Sequence, residues 1–251
     1  MAPRLDRHAY KPPPLASPEV APSAATMESS HDHAKSLLKT GNAVSSATHL
    51  TKSSDRQFLS TIMASGTLSD KISVPTLQSQ ESPLHTMKSL EKLLGLARKR
   101  SRSQAGSSMA AIKDLFGPAS VLPEDRKLRF FSKQPARGAR KATAEHLIIW
   151  AHWDWLKNFY FKVLTTLEGL CTGTVLFPRI NAIGFIHSLL NSKPEQEANH
   201  LRLLVNKLVS QPTVILQAHR LISRNRVIPP KRSPPKSLIC CSSSYRRPTL
   251  L

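Results

Sequence analysis

The run from Thr143 to Cys171 constrains this chain more than any other stretch. After its opening threonine it reads AEHLIIWAHWDWLKNFYFKVLTTLEGLC, with no proline and a single late glycine, Gly169. Ile149, Trp153, Leu156, Tyr160, Val163, Leu167 and Leu170 alternate spacings of four and three, which puts them on one face of a helix. Ile148, Trp155, Phe159 and Leu164 widen that face beyond a coiled-coil seam. Thr143 is placed to cap the start, and Glu145 suits the positive end of the helix dipole. A helix of this length spans roughly 40 Å at about 1.5 Å per residue. So broad an apolar face requires other helices on both of its sides. His152, Asp154, Lys157, Lys162 and Glu168 interrupt the run too often for a membrane span. Lys157 is expected on the solvent side, where its loss would be mild, whereas Trp153 is expected in the core.

The chain has 251 residues and a formal net charge of +20, with a pI near 10.5. An acidic partner follows, and nucleic acid fits better than membrane because no lipidation motif or strongly amphipathic basic helix is present. The charge is uneven. Residues 143–197 are nearly balanced, residues 98–142 are strongly basic, and no Asp or Glu follows Glu197. Three cysteines, Cys171, Cys240 and Cys241, make no disulfide framework, and the first residues hold no signal-peptide core. Both features favour a reducing, intracellular compartment.

Residues 1–54 are rich in Pro, Ser, Ala and Thr without sustained periodicity and read as a disordered tail. His31 and His33 flank Asp32 but have no further ligand at structural-site spacing. Residues 55–209 read as an α-helical, repeat-like domain. Within it, residues 55–64 suggest a short helix ended by Gly66, and Thr67 a second start that Pro75 should interrupt. Ser82-Pro83 predicts the next helix start, with Leu84, Met87, Leu90 and Leu94 inward. Met109, Ile112, Leu115 and Phe116 mark another helix inside an otherwise basic loop region, 98–142. After the long core helix (143–171), Phe177-Pro178 opens a helix with Ile183, Ile186 and Leu190 inward. Lys193-Pro194-Glu195-Gln196-Glu197 opens a last one, whose apolar stripe of Ala198, Leu201, Val205 and Leu208 should be incompletely covered and is the candidate partner surface. Residues 210–251 read as a disordered basic tail. The fold class is mainly α, as antiparallel helical pairs in a HEAT-like α-α superhelix.

The basic segments supply the candidate nucleic-acid contacts. The first group is Arg98, Lys99, Arg100 and Arg102, and the second is Arg126, Lys127 and Arg129. Arg137, Arg140 and Lys141 complete the set. Cations in such runs grip phosphates and position a protein without reading bases. Phe130 and Phe131 beside Arg129 could stack on bases, although an aromatic pair in an apolar stretch is more often core. No phosphate-cradling loop, nucleophile elbow, HExxH motif or paired cysteine ligands occur. The reading is therefore non-enzymatic, without metal or other cofactor. No helix-turn-helix, zinc-finger, basic-zipper or homeodomain pattern is present either.

Several blocks then resemble one family. They are Ser65-Gly66-Thr67-Leu68-Ser69-Asp70-Lys71-Ile72, Pro83-Leu84-His85-Thr86-Met87, and Leu122-Pro123-Glu124-Asp125-Arg126-Lys127-Leu128-Arg129-Phe130-Phe131 with Gln134-Pro135. Asp154-Trp155-Leu156-Lys157, Lys193-Pro194-Glu195-Gln196-Glu197 and Leu203-Leu204-Val205-Asn206-Lys207-Leu208 follow in order. Together, over roughly Phe58 to Val209, they resemble the CCAAT-binding-factor family of nucleolar-complex-associated proteins. The resemblance implies a helical scaffold of the nucleus and nucleolus that acts in large ribosomal subunit assembly. Its implied partners are pre-ribosomal RNA and a second nucleolar-complex protein, with no membrane and no small-molecule substrate. The alternatives are a CCAAT-box DNA-binding transcriptional activator and a non-functional fragment. Family members are several times longer, and the helical pattern stops abruptly after Ser210. A truncation, or a lost reading frame, is the expectation there, and another frame of the coding DNA should then encode further amphipathic helices.

Overall fold

The computed structural model describes residues 24–49, 57, 61–117, 121–123, 126–134 and 143–210. Every regular element among them is helical. They are α1 (Ala24–His49), α2 (Leu68–Glu81), α3 (Met87–Ala97), α4 (Arg102–Phe116), a 3-10 turn at Phe131–Lys133, α5 (Ala144–Thr172), α6 (Leu176–Ser192) and α7 (Glu197–Ser210). The chain is mainly α, as its periodicity predicts. No helix of the described residues is long and apolar enough to cross a membrane.

Helix α5 is the hub. Its predicted face is buried at Ile149, Trp153, Leu156, Phe159, Tyr160, Val163, Leu164 and Leu167, while Leu170, Ile148 and Trp155 are half-buried. At the start of α5, the Thr143 hydroxyl donates to His146 Nδ1 at 2.6 Å. Its amino-terminal half is covered more widely than one face requires, because Trp150, Ala151 and His152 are buried as well. The additional cover is α1, which packs along α5.

That packing corrects the expectation of a disordered tail over residues 1–54, since 24–49 form a helix. Helix α1 buries Ala34 and Leu38 in the common core. It is also held by polar contacts: His31 stacks on Phe131 at 4.6 Å between ring centroids, and His85 Nδ1 donates to Asn42 Oδ1 at 2.9 Å. Ser, Thr, Asn and Gly make α1 a poor autonomous helix; docking supplies what its own sequence lacks.

Helices α2, α3 and α4 pack on one another, and α4 also packs on α6. Phe116 at the end of α4 lies against Tyr160 of α5, with ring centroids 5.2 Å apart. Short connections make α3–α4, α5–α6 and α6–α7 helical hairpins. Nearest-neighbour stacking describes these pairs, but α1 against α5 bridges distant parts of the sequence.

Two local expectations are corrected. Pro75 does not end α2, which runs through it to Glu81 with the ring buried. Proline removes the amide that would have bonded Lys71 O, and burial of its ring in the packing of α2 on α3 and α4 holds the turn instead. Ser82-Pro83 does not start α3 directly. The Ser82 carbonyl instead accepts from the His85 and Thr86 amides at 3.2 Å each, forming one turn that delays the helix to Met87.

Gly66 does end the preceding helical turn, where a Cβ would collide with the Ile62 carbonyl oxygen. Beside it, Thr67 and Asp70 form a capping box at the start of α2. Thr67→Ala should destabilise the chain by about 1 kcal/mol, measured as a lower urea midpoint with unchanged slope.

Candidate nucleic-acid interface

Arg98, Lys99 and Arg100 form the turn between α3 and α4, and Arg102 begins α4; all four are exposed. The Arg98 amide closes α3 on Leu94 O at 3.1 Å, and its Nε donates to Thr166 Oγ1 on α5 at 3.2 Å. No acidic residue occupies the first turn of α4.

The second group lies on an extended segment. Arg126, Lys127 and Arg129 are exposed while Leu128 between them is buried. The Arg126 guanidinium stands 4.4 Å over the Trp153 ring, a cation–π contact with an indole that is otherwise buried. Lys127 lies 3.5 Å from Glu197 in an exposed ion pair, a contact worth little by itself. Phe131 is buried and Phe130 half-buried. Arg137, Arg140 and Lys141 lie outside the described residues.

The two groups do not merge into one patch. Their contacts on α5, Thr166 and Trp153, are 13 positions apart, which is about 20 Å along the axis and nearly opposite around it. The cations therefore flank α5 from different sides.

Behind the second group lies a junction that sequence reasoning missed. Lys157 is not a solvent lysine: its side chain is 15% exposed and its Nζ lies 2.6 Å from Oε1 of Glu195, itself 2% exposed. Glu195 Oε2 accepts from the Leu128 amide at 2.6 Å, and Lys157 Nζ donates to the Leu128 carbonyl at 3.1 Å. The ion pair thus satisfies both backbone groups of Leu128, as a neighbouring strand would. One turn earlier on α5, Asp154 Oδ1 accepts from the Phe131 amide at 3.1 Å. Asp154 Oδ2 lies 3.6 Å from His31 Nε2 of α1. Gln134 Nε2 closes the segment on Arg129 O at 3.0 Å.

The turn before α7 makes this geometry. Lys193 precedes a proline and is extended, and Gln196 takes a positive φ of 55°, so Glu195 points inward. Below it, His200 Nδ1 faces the Gln196 carbonyl at 2.9 Å. A carbonyl only accepts, so Nδ1 carries the proton and Nε2 accepts from the Tyr160 hydroxyl at 3.1 Å. Burial, reinforced by the Glu195 carboxylate, pushes the Tyr160 hydroxyl above its ordinary range. Burial lowers the His200 pKa, outweighing its bond to Gln196 and the nearby Glu195.

The candidate partner stripe on α7 faces away from the core. Ala198 is exposed, Leu201 is 47% and Val205 53% exposed; the Leu208 side chain lies outside the described residues. The inward face is instead His200 and Leu203, with Leu204 packed at its edge. No group of three His, Cys, Asp or Glu among the described residues could hold a metal ion.

Three relatives place the chain. It is 45% identical over 228 residues to Ribosome biogenesis protein NOC1 of Chaetomium thermophilum, covering 82% of this chain and 22% of that protein. It is 31% identical over 175 residues to human CCAAT/enhancer-binding protein zeta, covering 66% and 16% respectively. Over the matched segment the chain belongs to the CCAAT-binding-factor family. A third member, Nucleolar complex protein 1 of Drosophila melanogaster, is 30% identical over 165 residues, 62% of this chain and 14% of that protein. No family model matches. The chain spans about a fifth of the length of the curated relatives it matches. The family resemblance has a physical core: the Leu122–Phe131, Asp154–Lys157 and Lys193–Glu197 blocks are separate in sequence but meet at the Leu128 junction.

Proposed function

We propose that this chain is a non-enzymatic scaffold segment that acts in large ribosomal subunit assembly in the nucleolus. The observation that carries the reading is the 45% identity, over most of the chain, to a protein named for ribosome biogenesis. The exposed cations on two sides of α5 supply contacts to pre-ribosomal RNA, a partner large enough to reach both. The outward stripe of Ala198, Leu201, Val205 and Leu208 receives a second nucleolar-complex protein, in line with the name of the Drosophila relative. The helical hairpins stack as turns of a HEAT-like superhelix.

Cations set in a turn, at a helix start and on an extended segment favour phosphate contact over base reading. Binding to a structured RNA should therefore weaken steeply with salt and depend weakly on sequence. Neutralising Arg98, Lys99, Arg100 and Arg102 together should reduce the slope of log affinity against log salt by about three. Salt-independent binding would overturn the reading. Preference for a CCAAT duplex over a scrambled one by more than roughly a thousandfold, as specific readers achieve, would replace it with the DNA-binding alternative named by the human relative.

A further inference from the structure

We propose that Glu195 and Lys157 are positioning residues of the RNA interface, holding Arg126, Lys127 and Arg129 in a fixed outward register. This rests on the reading of those cations as phosphate contacts. In an extended segment successive side chains point to opposite sides, so burying Leu128 turns both Lys127 and Arg129 outward. What keeps Leu128 in place is unusual. Its amide and carbonyl bond not to another backbone but to the two partners of a buried ion pair, at 2.6 and 3.1 Å. Those partners come from α5 and from the turn before α7, so the segment is tied to two helices at once. Asp154 fixes the next point, at the Phe131 amide, and the Arg126 guanidinium rests on Trp153. A one-residue slip would bury Lys127 or Arg129 against α5. Burial of the Leu128 side chain selects the register, and the pair anchors it, its carboxylate meeting the Leu128 amide and its ammonium the Leu128 carbonyl.

The pair has no net charge, and that makes the role testable. Exchanging both partners for apolar residues, as in the double variant Lys157→Met with Glu195→Leu, removes one positive and one negative charge. It also leaves no uncompensated buried ion, the case in which such replacements fold. The test uses the whole chain and a fluorescent RNA hairpin, titrated between about 50 and 200 mM KCl. A loss of folded fraction scales the affinity equally at every salt and leaves the slope unchanged, whereas loss of ordered phosphate contacts lowers it. We expect the double variant to lower the slope by about two, as far as the triple variant Arg126→Ala, Lys127→Ala, Arg129→Ala does. Single Glu195→Gln, which keeps an acceptor for the Leu128 amide, should fall between parent and double variant.

If the triple variant lowers the slope and the double variant keeps the parent's, the positioning role is overturned while the interface stands. If the triple variant itself keeps the parent's slope, the segment does not touch RNA, and the interface reading and this proposal both fail there.

Discussion

Lys157→Ala will destabilise the chain by about 3–5 kcal/mol, although the sequence marks it as a harmless surface change. Removing the ammonium leaves the Glu195 carboxylate buried without its partner, the situation in which breaking a buried pair has that magnitude. It also takes the donor from the Leu128 carbonyl. Trp153→Ala, which deletes an indole that is 4% exposed, belongs in the same range of about 3–5 kcal/mol. The two differ in how they are rescued. Adding Glu195→Leu to Lys157→Met should recover part of the loss, leaving mainly the unpaired Leu128 backbone groups at about 1–3 kcal/mol. Trp153→Ala has no such rescue. Urea unfolding of the singles and the double, read as a double-mutant cycle, measures the coupling. Additive losses would show that Lys157 and Glu195 act independently.

Acidification will destabilise the chain through its buried histidines His152 and His200. His152 is fully buried, and burial, with the nearby His85, lowers its pKa to about 3 from 6.5. The unfolded chain takes up a proton near pH 6.5, where the native state refuses it. His152 therefore contributes its full stability above pH 6.5, and that contribution is lost as pH falls toward about 3. From neutrality to pH 4.5 the loss through His152 amounts to about 2–3 kcal/mol. His200, also lowered, adds in the same direction. The check is the urea midpoint from neutral pH to pH 4.5 in the parent and in His152→Leu. The variant should lose the larger part of the slope; parallel curves would remove His152 as its source.

Much of the fold was legible because α5 announces itself. Its four-and-three spacing, proline-free length and terminal signals identify the element on which the others pack. Met109, Ile112, Leu115 and Phe116 likewise all reach the core. Helix α1 was not legible, since it buries few large side chains and its partner is remote in sequence. Pro75 misled because the rule against interior proline concerns an isolated helix, whereas tertiary burial of the ring supports this one. On α7 the apolar stripe and its incomplete cover were visible, with Leu201 and Val205 exposed; the inward side was not, because a polar residue, His200, marks it.

The exposed cations were legible as charge runs, and the junction that orders one of them was not. Lys157 and Glu195 look like ordinary surface charges: one breaks an apolar run, the other sits before a helix start. A signal was nevertheless present. Lys157 lies four residues after Trp153 and three before Tyr160, on the very face assigned to the core. An ammonium there needs a carboxylate delivered from elsewhere, and the turn at Pro194 delivers it.

The contact of α1 with α5 also sets an order of events during synthesis. A ribosome adding roughly 5–20 residues per second finishes α1 several seconds before it completes α5. Throughout that interval the nascent helix lacks its main support, and residues made before α5 offer it only such contacts as that of His85 with Asn42. Its Ser- and Thr-rich, weakly apolar sequence suits such a delay, because it neither holds its own shape firmly nor offers a sticky surface to neighbouring chains. Helix α1 leaves the exit tunnel before α5 does and is therefore placed late, as a closing layer over a hub translated after it.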